Sequence, residues 1–102
     1  MSHTPLAKVK NFGPVTRAEF EAMHLTSLEQ LQRLGFEDIC RRWVQYFPQR
    51  LNANAFLGVI CSLDSTVWTR ATVGQRRMAH QMACTLRAEF GLPQVKRARR
   101  PR

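Results

Sequence analysis

Residues 26–48, TSLEQLQRLGFEDICRRWVQYFP, decide the fold. Leu28, Leu31 and Leu34 recur at the spacing of one helical face, and Gly35 follows where a residue of positive φ commonly ends a helix. Phe36, Ile39, Cys40, Trp43 and Phe47 then repeat at steps of three and four. Glu37, Asp38, Arg41 and Arg42 lie on the opposite side until Pro48 blocks continuation. The stretch therefore reads as two amphipathic helices hinged at Gly35. Thr26 and Glu29 stand three apart at its start and are expected to cap each other's free backbone donors.

The same reading extends outward in both directions. Pro14 directly after Gly13 suits a first helical turn, so a helix is expected from Pro14 to about Met23, feeding Val15, Ala18 and Phe20 to the core. His24 and Leu25 form the connection that follows. Asn52 is a cap for a helix from Ala53 to about Ser65, apolar nearly all round and hence central. Thr72-Val73-Gly74-Gln75 opens a last helix carrying Met78, Met82, Leu86 and Phe90, stopped by Gly91-Leu92-Pro93. Trp43 and Trp68 sit in apolar context and are expected in the core, as are Met78 and Met82. No segment alternates like a strand. The expected fold is all-α, a compact array of about five short helices: residues 1–7 a flexible terminus, 8–93 one helical domain, 94–102 a disordered basic tail.

Composition supports a single packed domain, with 44% hydrophobic residues in 102. Lys and Arg number 16 against seven Asp and Glu, a formal net charge of +9 that favours polyanionic partners. Lys96, Arg97, Arg99, Arg100 and Arg102 carry much of that excess within a tail that has no acid. Cys40, Cys61 and Cys84 form no metal-ligand spacing and read as reduced core thiols. No signal peptide or membrane-spanning run is evident, so a cytoplasmic protein without membrane contact is expected.

Several dispersed segments carry a resemblance: Lys10-Asn11-Phe12-Gly13-Pro14, His24-Leu25-Thr26-Ser27-Leu28-Glu29-Gln30-Leu31 and Leu34-Gly35-Phe36-Glu37. Cys40-Arg41-Arg42-Trp43, Pro48, Leu51-Asn52-Ala53-Asn54-Ala55-Phe56-Leu57, Leu63 and Trp68 continue it in order. Over roughly residues 8 to 90 the chain resembles the C-terminal domain of the TfoX/Sxy family of bacterial competence regulators. The resemblance implies a cytoplasmic helical module linked to competence-gene activation and DNA transformation. Fuller members also carry an N-terminal domain, which this sequence does not contain, so a stand-alone form of the module is expected.

Two motifs suggest nucleic-acid contact. Asn11-Phe12-Gly13-Pro14 before a helix is helix-hairpin-helix-like: Gly13 and the helix N-terminus could grip a phosphate, with Lys8, Lys10 and Arg17 around it. The same residues also serve simply as a tight turn that lets two helices pack. The tail cations Lys96, Arg97, Arg99, Arg100 and Arg102 could neutralise phosphates without reading sequence, or act only as a solubilising extension. Arg41, Arg42, Arg70, Arg76 and Arg77 read as solvated helix faces. His3, His24 and His80 lack the partners of a catalytic group, and Asp64 with Ser65 reads as a helix end. The expected function is a non-enzymatic regulatory binding module for DNA, RNA or a protein, with no cofactor, metal or small-molecule substrate. The alternative is a protein-interaction or structural accessory domain with no nucleic-acid role.

Overall fold

The computed structural model describes residues 4–92, which form five α-helices joined by short connections. These are α1 (Pro14–Ala22), α2 (Leu28–Leu34), α3 (Phe36–Tyr46), α4 (Ala53–Leu63) and α5 (Val73–Glu89). Single 3-10 turns lie at Leu6–Lys8, Pro48–Arg50 and Trp68–Arg70. Among the described residues there is no strand, and Pro5 and Ser27 make an isolated bridge. The all-α array of about five helices is what the apolar spacing requires.

Local chemistry fixes the ends of these helices. Pro14 occupies the first turn of α1, and the Asn52 side chain accepts from the Ala55 N–H to start α4. Thr72 and Gln75 form a reciprocal capping box on α5. Gly35, at φ 92° and ψ 157°, both ends α2 and begins α3, in a region essentially restricted to glycine. At α2 the capping box is shifted by one residue: Ser27 and Gln30 form it, not Thr26 and Glu29. Glu29 is held elsewhere, accepting from the Thr4 N–H at 2.8 Å and the Thr4 hydroxyl at 2.9 Å.

Those bonds draw the segment that begins at Thr4 onto the domain. Leu28 N–H also donates to the Thr4 carbonyl, and Leu6 is buried to 2% exposure. The packed unit therefore includes Thr4–Ala7 and does not start at Lys8.

Helix α4 is central, as its all-round apolarity requires, and packs on α5, α3 and α2. Phe56, Leu57, Val59, Ile60 and Cys61 meet Ala79, Met82, Ala83 and Leu86 of α5. Phe12, Phe20 and Trp43 stack edge to face, with centroids 4.8 and 4.9 Å apart, and seat α1 on α3.

The apolar face of the short helices differs in part from the expected one. Val15 and Ala18 point outward on α1, where Phe20 alone among its residues is buried. Met78 and Phe90 flank the buried stripe of α5 and are exposed, whereas Met82 and Leu86 are core. Helix α4 ends at Leu63, and Asp64 is its C-cap.

Candidate nucleic-acid interface

The turn before α1 is built around Asn11. Its backbone lies at φ 73°, a left-handed conformation that asparagine tolerates better than most residues. Its side-chain amide donates to the Thr66 carbonyl at 2.9 Å and to Ser62 Oγ at 3.3 Å, while its oxygen accepts the Trp68 N–H at 2.8 Å. Ser62 in turn donates to the Lys10 carbonyl. This turn is thus buckled to the α4–α5 connection, more than fifty residues away in sequence.

The helix-hairpin-helix-like reading of this region is incomplete, because the arm before the turn is the single 3-10 turn Leu6–Lys8 and not an α-helix. Gly13 adopts extended backbone, φ −91° and ψ −177°, and a Cβ there would meet nothing within 4 Å. Neither torsion nor packing demands glycine at this position, although the turn itself is present and bonded to Ser62 and Thr66. What Gly13 does provide is bare backbone beside an α1 N-terminus that has no side-chain cap. Lys8 and Lys10 are exposed nearby in sequence. Arg17 is half-buried, and its Nε is shielded from solvent without a hydrogen-bond partner among the described residues. The remaining expected contacts, Lys96, Arg97, Arg99, Arg100 and Arg102, lie outside the described residues, as does the whole 94–102 segment.

A cleft of about 250 Å³ opens beside this turn, lined by Asn11 and Thr16 on one side, Asn54, Ala55 and Gly58 of α4, and Trp68. Trp68 is not a core residue: it is 51% exposed, against 3% for Trp43. Its backbone is pinned by Asn11, so the indole is presented from a fixed position. Apolar neighbours in sequence do not reveal this, because the Trp68 turn is held by a backbone hydrogen bond to a residue far away in the chain. A second, shallower cleft is lined by His24, Leu25, Gln30, Arg33, Leu34 and Arg42.

The charges are sorted. Arg50 is paired with Glu19 through two bonds of 2.8 and 2.9 Å, and Trp43 Nε1 donates to the same carboxylate at 2.8 Å. The Arg50 guanidinium holds the Glu19 carboxyl below the usual carboxylate range, against the opposing effect of burial, with Trp43 adding to the depression. Arg41 is not simply a solvated face: it bridges Glu89 and Asp38, and it lowers the Glu89 carboxyl through its hydrogen bond. Among the described residues Lys8, Lys10, Arg33, Arg42, Arg70, Arg76 and Arg77 make no ion pair with an acid.

Burial pushes the thiols of Cys40 and Cys61 up, and neither belongs to a disulfide. Cys84, expected in the core, is half-buried with its sulfur 3.7 Å from His80 Nε2. Asp64 accepts from the Gln75 amide at 2.8 Å and fastens α4 to α5. Among the described residues no three His, Cys, Asp or Glu side chains gather where they could hold a metal ion. No helix of the described residues is long and apolar enough to cross a membrane.

No family model matches the chain, and no curated protein sequence matches it. The fold is similar to that of an uncharacterized protein from Listeria monocytogenes, whose crystal structure in a triclinic form superposes with a TM-score of 0.71. That likeness covers 90% of this chain and 100% of the other at 10% sequence identity, and it is a likeness of fold.

Proposed function

We propose that this chain is a non-enzymatic regulatory binding module of the kind represented by the TfoX/Sxy C-terminal domain, acting in the cytoplasm and contacting nucleic acid through its basic surface. The sequence resemblance over residues 8–90 supports the family reading. The observation that carries the nucleic-acid reading is the excess of unpaired cations among the described residues. Glu19, Asp38 and Glu89 are held by Arg50 and Arg41, while Lys8, Lys10, Arg70, Arg76 and Arg77 are exposed without an acid partner and outnumber the exposed acids without an ion pair, Glu21, Glu37 and Asp64. Such a surface attracts phosphates and releases their counterions.

The experiment is a titration of fluorescent duplex DNA, single-stranded DNA and RNA at several salt concentrations. If Lys8, Lys10, Arg17 and the five tail cations each meet a phosphate, log affinity for duplex falls against log salt with a slope of up to about −7. Truncation after Pro93 reduces that slope by about 4 to 5, and charge reversal of Lys8, Lys10 and Arg17 removes most of the remainder. Absence of binding at low salt refutes the reading. It would favour a protein partner instead, for which the exposed Met78 beside Phe36 and Met82, in a groove of about 180 Å³, offers an apolar contact.

A further inference from the structure

We infer that the Trp68 cleft takes one unpaired base of a nucleic-acid strand, stacked on the indole, and that the domain therefore prefers single strands to duplex. This rests on the nucleic-acid reading above and deepens it.

Three observations point to a flat, polar-edged ligand. First, the indole is half exposed while the Trp68 backbone N–H is anchored to Asn11 Oδ1, so the side chain projects from a fixed point of the main chain beside the cleft, as a stacking platform requires. Second, Gly58 sits in the middle of α4, where glycine costs helix stability, and a Cβ at this position would meet no atom within 4 Å. Packing does not ask for glycine there. Gly58 and Ala55 line the cleft, and their small size keeps it deep enough for a planar ring. Third, the rim offers the Thr16 hydroxyl and the Asn54 amide, neither engaged in a side-chain hydrogen bond within the described residues. They are free to meet the edge of a base.

The charges favour a base on a strand over an apolar side chain of a protein. Lys10, Arg17 and Arg70 stand next to or two residues from the lining residues Asn11, Thr16 and Trp68, and none of the lining residues is acidic. A strand whose base enters the cleft thus has cations close to its flanking phosphates. A base inside a duplex is stacked and paired and cannot enter without being unpaired.

The test compares a short mixed-sequence single strand, its duplex and the same strand with abasic positions, each at the same series of salt concentrations. The single strand is expected to bind more tightly than either. Trp68→Ala keeps the backbone bond to Asn11 and is expected to fold, while losing about 5- to 150-fold in single-strand affinity with duplex affinity and the salt slope unchanged. Trp68→Phe retains most of the affinity. Gly58→Leu fills the cleft and is expected to weaken single-strand binding similarly, and Gly58→Ala raises the melting temperature. Quenching of exposed Trp68 emission on binding reports stacking, since Trp43 is shielded.

Steep salt-dependent binding that is indifferent to Trp68→Ala, or equal for abasic and intact strands, overturns the base cleft and leaves the electrostatic reading standing. No binding of any nucleic acid at low salt overturns both.

Discussion

Substituting Glu19 with alanine removes the acceptor around which three elements meet: α1, which carries it, α3 through Trp43, and the Pro48–Arg50 turn. The Glu19 side chain is 11% exposed and that of Arg50 is 28% exposed. Loss of the charge-assisted bonds costs about 1.5–3 kcal/mol, and leaving the Trp43 N–H without a partner costs about 1–3 kcal/mol more. Arg50 recovers part of this by turning to solvent, so the net loss for Glu19→Ala is about 2–4 kcal/mol. At about 4–8 °C per kcal/mol in a domain of this size, the melting temperature falls by roughly 8–32 °C. Glu19→Gln keeps an acceptor for Trp43 and loses only the charge, so it is expected to cost about 1–2 kcal/mol.

Urea denaturation followed by circular dichroism gives these differences directly. The pH dependence supplies an independent check with a fixed sign. The folded-state pKa of Glu19 is depressed from 4.5, so its contribution is complete above that value and is lost as pH falls through the lower folded value. The gap between wild type and Glu19→Gln should therefore close in acid. A cost below about 0.5 kcal/mol for Glu19→Ala, the size of an ordinary surface substitution, would refute the knot as a structural anchor, as would a gap that widens in acid.

Asn11 and the cysteines give two more predictions. Asn11→Gly keeps the positive φ but loses the bonds to Ser62, Thr66 and Trp68, and is expected to cost about 1–2 kcal/mol; Asn11→Ala adds about 1 kcal/mol of backbone strain. Equal costs in urea denaturation would mean that the turn relaxes in the alanine variant. In native buffer a thiol reagent followed by mass spectrometry should label Cys84 first, and Cys40 and Cys61 only on unfolding, because both are buried and burial raises their pKa.

Helix ends were legible in the sequence because the signals for them are local. Pro14, Gly35, Pro48, Asn52 and the Thr72-to-Gln75 pair each act within four residues of where they stand. Where two local signals overlapped, the sequence could not choose between them: Thr26 with Glu29 and Ser27 with Gln30 are both capping pairs, and the decision fell to Thr4, which takes Glu29 out of the contest. The facing of short helices was less legible for a related reason. Nine residues of α1 give two and a half turns, so Val15 and Ala18 fit an apolar stripe nearly as well as Phe20 does. The aromatic chain from Phe12 to Trp43 selects the rotation that buries Phe20. The candidate site was legible in half. Lys8, Lys10, Gly13 and Arg17 follow from motif and charge, whereas Trp68 and the bare floor at Gly58 depend on contacts that sequence spacing does not encode.

The arrangement of charge also bears on how such a domain could act at cellular salt. At about 0.15 M the screening length is about 8 Å, so a formal charge of +9 spread over a surface does little at a distance, and only patches free of nearby acid attract a strand. The pairs Glu19–Arg50 and Glu89–Arg41 each remove one acid and one base from the outer field and so leave the net charge unaltered. Their effect is local: Arg50 holds the Glu19 carboxylate, which stands two residues from Arg17 on α1, whereas Glu89 is held by Arg41 at the far end of α5 from the Trp68 turn. The Glu19–Arg50 contact that seats α1 on the core thus also neutralises an acid two residues from Arg17, which ties the charge beside the candidate interface to the stability of the fold.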